Sequence, residues 1–256
     1  MTTPALTVRS LLSQDNVKSK FEEILRDRAA GFTANLAVMV NNSAALSKCD
    51  PMTVISAAVV AASLDLPLDP NLGFAAVVPF GDKASFQIMY KGILQLAIRS
   101  GQYKYINVTE IYEGELVSEN RVTGRYVFNN KKRVSDKIIG YAAYFKLNTG
   151  FEKTLYWSVS EIEKHGLRYS QTFKRGSGLW KENFEAMARK TVLKTLLSKW
   201  GILSVEMQSA VKFDQGVIRD VENGVVEYLD NDPIEAAFDN DEPVKAKRVQ
   251  TVIPQV

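Results

Sequence analysis

The 256-residue sequence holds a single cysteine, Cys49, and a single histidine, His165. One thiol excludes an internal disulfide and fits a reducing compartment. A serine or cysteine triad would rest on one unsupported pair, so His165 reads as a loop or helix-end residue. No cluster of His and Cys could hold zinc. The phosphate-loop pattern G-x-x-x-x-G-K-[ST] is absent. Its nearest counterpart, Arg175-Gly176-Ser177-Gly178, lacks the following Lys and Ser/Thr, which argues against ATP hydrolysis of that type. No Glu stands two positions before a Lys, so the Glu-x-Lys of one large metal-dependent nuclease class is missing. Glu110, Glu113 and Glu115 lie close together but on a strand and turn with nothing convergent, and they read as a solvated strand face. The most apolar stretch, residues 52–64, is too short to span a bilayer, and the N-terminus has no basic segment followed by a long apolar run. A cytoplasmic protein without membrane contact, and not an enzyme, is expected. It should need no ATP or other cofactor, and its magnesium dependence is left open.

What is present is charge, unevenly placed. Residues 1–205 carry 27 basic and 18 acidic side chains, whereas residues 206–256 carry 5 and 11. A basic body with an acidic tail suits polyanion binding by the body, with the tail serving solubility, autoregulation or protein partners.

The positive charge peaks in residues 164–200, KHGLRYSQTFKRGSGLWKENFEAMARKTVLKTLLSKW, with nine Lys or Arg against two acids. Cations interleaved with rings suit a polymer with a charged backbone and stackable faces, that is, single-stranded nucleic acid. Residues 168–178 have no apolar period and are rich in Ser and Gly, so an exposed mobile loop is expected. Residues 179–200 predict one helix, in which Trp180, Phe184 and Met187 share a side while Val192, Leu193, Leu196, Leu197 and Trp200 centre opposite. Such a helix packs against different elements along its length. Arg189 projects toward the second apolar side, where it must meet a phosphate or a carboxylate. Phosphate contacts are assigned to Lys91, Arg168, Lys174, Arg175, Lys181, Arg189, Lys190 and Lys194, and base contacts to Tyr169 and Phe173. The bland alternative is a solvated basic face.

Along the chain, residues 1–14 read as frayed. Val17, Phe21, Ile24 and Leu25 predict an amphipathic helix over 15–28, capped by Asp15 or Asn16. A second helix follows over 33–46. Asp50-Pro51 is a strong start for a third that is apolar nearly all round and therefore central. AAVVPF and SFQIMY around Gly81-Asp82-Lys83 predict a hairpin. Tyr90-Lys91-Gly92 opens a helix closed by Gly101. NVTEIYEGE, RVTGRYVFNN, IIGYAAYFKLN and FEKTLYWSV are four β-rich segments, with Asn148-Thr149-Gly150 a turn and Lys131-Lys132-Arg133 a protruding basic tip. Ser158 or Ser160 caps a short helix through Lys164. The expected fold is α+β: N-terminal helices, a central antiparallel sheet with hairpins packed against helices, a C-terminal basic helix and a flexible acidic tail. Residues 1–205 would form the DNA-binding and oligomerisation core, 206–230 a helical extension and 231–256 the tail.

The strand-to-helix junction at Tyr90-Lys91-Gly92 offers a second phosphate seat, since helix N-termini attract anions and Gly92 would let the backbone approach closely. Arg99, Tyr103 and Lys104 form a further cluster at the far end of that helix. Each also reads as ordinary surface.

The order PMTVISAAVVAASLDLPLDPNLGFAAVVPFG, QIMYKGILQLAIRSGQYKYINVTEIYEGE, LWKENFEAMARKTVLKTLLSKWG closely resembles the RecT family of phage single-strand DNA annealing proteins, over roughly residues 20–205. The Tyr-Lys-Gly and Met-Ala-Arg-Lys-Thr segments carry that resemblance. It implies ATP-independent annealing of complementary strands in phage recombination, by rings or helical filaments that hold single-stranded DNA and the annealed duplex. It also implies a 5′-to-3′ exonuclease partner and contact with the host single-strand DNA-binding protein. Two readings of other classes compete: a passive single-strand coating protein, and a nuclease whose metal site is unrecognised.

Overall fold

The computed structural model describes residues 6–69, 71–221 and 225–228. The expected acidic tail at 231–256 lies outside them. Helix α1 (Val8–Leu12) forms where fraying is expected, because Thr7 and Ser10 close a reciprocal capping box. Helix α2 (Asp15–Leu25) follows, its N-cap position held by Gln14 rather than Asp15 or Asn16. Helix α3 (Ala29–Asn41) starts earlier than residue 33. Helix α4 (Pro51–Ser63) begins as its sequence dictates: the Asp50 carboxylate accepts from Met52 N at 2.9 Å, with Pro51 in the first turn. Its apolar surface is buried on nearly all sides by α1, α2 and the strands below it.

Strands β1 (Ala75–Phe80) and β2 (Lys83–Ile88) form the expected hairpin, and Gly81 takes the left-handed conformation that its turn requires. Helix α5 (Tyr90–Arg99) leads to β3 (Tyr103–Tyr112). A separate hairpin follows, β4 (Leu116–Asn120) and β5 (Arg125–Phe128), so that the first four residues of RVTGRYVFNN are its turn and only Arg125–Phe128 is strand. Strands β6 (Ile138–Leu147) and β7 (Glu152–Ser158) complete an antiparallel sheet of order β3-β6-β7. Ser158 and Glu161 form the capping box of α6 (Val159–Tyr169), which runs five residues past Lys164. The basic loop is correspondingly short and partly helical: α7 (Gln171–Lys174) lies within it, ahead of the left-handed Gly176 and Gly178.

The single helix expected over 179–200 is two. Helix α8 (Leu179–Glu182) stops at Asn183, whose non-helical backbone breaks the ladder and whose side chain accepts from Ala186 N at 3.1 Å to cap α9 (Phe184–Trp200). The break moves Trp180 onto α8, while Phe184 and Met187 stay on α9 with the second apolar set. Helix α9 lies against α5, α6, β3, β6 and β7, which is why its apolar positions occur on more than one side. Helix α10 (Val205–Phe213) is followed by a hairpin, β8 (Val217–Asp220) and β9 (Val225–Glu227), where helical structure is expected. The hairpin is not an appendage. Phe86 N donates to Gly216 O and Gln215 N to Phe86 O, so this segment hydrogen-bonds to β2 and packs on α4.

The sheet has two unlike faces. Ile106, Val108 and Glu110 of β3, with Tyr141, Ala143 and Phe145 of β6 and Leu155 and Trp157 of β7, share the side on which α6 and α9 pack. Tyr105, Asn107, Thr109, Tyr144, Lys146 and Thr154 share the other.

Candidate nucleic-acid interface

The cations expected to bind DNA divide into exposed and committed groups. Arg168, Lys174, Arg175 and Lys181 are exposed on the end of α6, on α7 and its following turn, and on α8, and none has a carboxylate partner among the described residues. These short elements pack in series, α6 on α7, α7 on α8 and α8 on α9. We call this run of packed elements, with its four exposed cations, the basic ridge. Ser170, at 6% exposure, anchors it by accepting from Phe173 N at 3.2 Å. Phe173 is not an open stacking surface: its ring meets Trp180 edge-on at 5.1 Å and lies over Gly166, where a Cβ would fall 2.7 Å from the ring. Tyr169 is half-buried against His165, ring centres 4.7 Å apart, with the Arg168 guanidinium 5.1 Å from its own ring centre. His165 also meets Trp157 at 5.2 Å. Burial, then the nearby Lys194 and Arg168, push its pKa down to about 4, so the imidazole is neutral at physiological pH.

Three assigned cations are occupied internally. Arg189 does meet a carboxylate, Glu110 of β3, and sits 3.4 Å from Glu185 one turn away. Glu110 therefore faces the helices and is no solvated strand residue. Glu115 is also buried and accepts from Tyr112 N at 2.9 Å to close its turn. Lys190 is 2% exposed and donates to Asp214 at 3.0 Å, and Lys194 donates to the other oxygen of the same carboxylate at 2.6 Å. Their assignment as phosphate ligands is corrected on that ground: charge in the core is tolerable only when paired, and Asp214 pairs both. Burial works against ionisation of Asp214, yet the two ammonium groups hold its pKa below the usual carboxylate value.

At α5, Lys91 is exposed and Tyr90 half-buried at a helix start with no side-chain cap, which leaves the first backbone N–H groups available. Gly92 serves a different purpose from the one expected. A Cβ there would lie 2.1 Å from Phe74 O, so the glycine admits the chain entering β1 and not a ligand. Arg99 is a structural clamp: it donates to Leu64 O at 2.7 Å and pairs with Asp65 at 3.5 Å, holding the end of α4. The Tyr103 hydroxyl donates to Ile202 O at 2.9 Å, and burial raises its pKa to about 12. Lys104 is exposed. In the Lys131-Lys132-Arg133 tip, Arg133 stacks 3.5 Å over the Tyr112 ring centre and pairs with Asp136, which leaves the two lysines outward.

No group of His, Cys, Asp and Glu able to hold a metal occurs among the described residues, and Cys49 is buried with its thiol pKa raised by burial and by Asp82 and Asp50. No helix among those residues is long and apolar enough to cross a membrane.

Residues 30–226 match the RecT family over most of the chain, extending past α10 into the β8–β9 hairpin. The chain belongs to the RecT family. It is 54% identical over 205 residues to the uncharacterized protein YqaK of Bacillus subtilis strain 168, covering 80% of this chain and 71% of that protein. It is 27% identical over 219 residues to protein RecT of Escherichia coli K12, covering 81% and 80%. Membership in RecT supports a role in DNA recombination and strand annealing and implies single-stranded DNA as ligand.

Proposed function

We propose that this RecT-family protein anneals complementary DNA strands without ATP, as an oligomer whose subunits line up their basic ridges into a shared groove. The observation that carries the reading is the exposed set Arg168, Lys174, Arg175 and Lys181, without carboxylate partners among the described residues, on consecutive packed helices. Lys91 at the N-terminus of α5 and Lys104 at the start of β3 supplement it. Two polyanions repel, and cations that displace their counterions remove much of that repulsion, at the expense of strong salt sensitivity. Contacts to the backbone carry no base information, so the activity is independent of sequence, and base pairing supplies the free energy. Within this reading the protein acts in the bacterial cytoplasm, beside a 5′-to-3′ exonuclease that exposes single strands and the host single-strand DNA-binding protein that first covers them. Annealed duplex stays in the groove as the intermediate.

The test mixes complementary dye-labelled oligonucleotides with the protein in nucleotide-free buffer. Faster hybridisation than the spontaneous rate, lost at high salt, is the expected result. Slower hybridisation identifies a passive strand-coating protein and refutes the proposal, as does a requirement for ATP. Electron microscopy with and without DNA distinguishes ring from filament.

A further inference from the structure

Among the described residues, the sheet face opposite α9 is only partly covered. At one end, Tyr126 and Phe128 of the β4–β5 hairpin lie over Tyr156 of β7, with ring centres 5.9 and 6.0 Å apart. Beyond them the face is open: Tyr105 is 58% exposed, Asn107 and Thr109 are exposed, and Tyr144 and Thr154 are half-exposed. Register places Asn107 opposite Tyr144 and Tyr105 opposite Lys146. The two tyrosines are therefore diagonal neighbours on one surface, a relationship that puts side chains about 7–8 Å apart. Tyr144 is held in place, its hydroxyl donating to Glu152 at 2.8 Å, while Lys146 balances that carboxylate at 3.2 Å. Lys104 stands at the rim, its ammonium 5.8 Å from the Tyr105 ring centre.

We propose that this open face is a second contact surface for single-stranded DNA, on which Tyr105 and Tyr144 stack against bases and Lys104 meets a phosphate. It deepens the reading above and rests on it. The composition favours nucleic acid over a protein partner. A protein-binding patch has an apolar centre, whereas here the rings are surrounded by an amide, hydroxyls and one balanced ion pair. Ring faces accept any base, which suits a ligand of arbitrary sequence. The side on which α6 and α9 pack and the open side are opposite faces of one three-stranded sheet, so the platform is physically separate from Arg168 on α6. Because the ion pair is internally balanced, the contribution of the two tyrosines is stacking and should be little affected by salt, the salt dependence of this face resting on Lys104.

The experiment compares a dye-labelled oligo(dT) with an abasic strand of the same length, bound by the full chain, Tyr105→Ala, Tyr105→Ala/Tyr144→Ala and Tyr105→Phe. Loss of a stacked ring lowers affinity by about 5- to 150-fold per base. The alanine variants should lose about that much for oligo(dT) and little for the abasic strand, with the same log–log salt slope as the natural chain. Tyr105→Phe should bind normally. Tyr105 is exposed, so its substitution leaves the fold intact. Equal binding by the natural chain and the double variant overturns the platform alone. Equal losses on both strands, or a change of oligomeric state that accounts for the loss, overturn it as well. Failure of the natural chain to bind either strand at low salt overturns the proposed function itself.

Discussion

Lys190 and Asp214 lie 3.0 Å apart inside the core, joining the middle of α9 to the end of α10. Lys194, one turn along α9, takes the second carboxylate oxygen, and Ile88 N of β2 donates to the first at 3.1 Å. One acid thus ties together the basic helix, the C-terminal segment and the β1–β2 hairpin. Two of the cations that distinguish the most basic stretch of the chain are thereby made structural.

This arrangement predicts an asymmetry between substitutions. Asp214→Ala leaves two buried ammonium groups unpaired and should cost about 3–5 kcal/mol. Lys190→Met leaves Asp214 still paired with Lys194 and fills similar volume, so it should cost clearly less. Urea unfolding midpoints of the two variants measure the difference, and a larger loss from Lys190→Met would contradict the assigned charge balance.

On the ridge the opposite pattern is expected. Lys174→Glu/Arg175→Glu changes exposed side chains, so stability should move by no more than about 0.5 kcal/mol. Affinity for single-stranded DNA should fall, and the salt slope should shrink by about 0.7 for each phosphate contact removed. Titration of a labelled oligonucleotide across a salt series reads both quantities, and unchanged binding at moderate salt would remove these residues from the interface.

His165 gives a pH signature. Its folded pKa of about 4 lies below the ordinary 6.5, so between these values the unfolded chain binds a proton that the native chain refuses. Stability therefore falls as pH drops from about 6.5 toward 4, by up to about 3 kcal/mol from this residue. Substituting His165→Asn should flatten that part of the curve relative to the natural chain. As the only histidine, its imidazole can also be titrated directly by NMR. A midpoint near 6.5 would show that the ring is not enclosed between Trp157 and Tyr169.

Gly92→Ala tests the junction at α5. The new methyl would fall 2.1 Å from Phe74 O and 2.9 Å from the Ile88 side chain, and a backbone carbonyl cannot turn aside as a flexible side chain can. Destabilisation of about 1–3 kcal/mol or more is expected, seen as a lower Tm. A neutral substitution would mean that the entry to β1 is free to shift.

Much of the architecture is local enough to be legible in residue order. Asp50-Pro51 starts α4, Gly81 turns the first hairpin, and Ser158 caps α6, because each signal acts within about four residues of itself. The division of 179–200 is half legible: opposed apolar faces point to two sets of neighbours, and Asn183 is a residue type suited to capping a new helix, but residues 179–200 otherwise read as one continuous run of helix formers. The β8–β9 hairpin was invisible, since its place depends on pairing with Phe86, more than a hundred residues earlier.

The candidate site divides the same way. Residue order by itself determined that this chain is cationic over residues 1–205, interleaved with rings and without the G-x-x-x-x-G-K-[ST] pattern. Tertiary structure alone decided which cations meet solvent. Lys190 and Lys174 are the same residue type a few turns apart, yet the first is enclosed with Asp214 and the second is exposed on α7. The physical reason is that a charge is stable in the core only beside a partner, and that partner is brought there by the fold from a distant part of the chain.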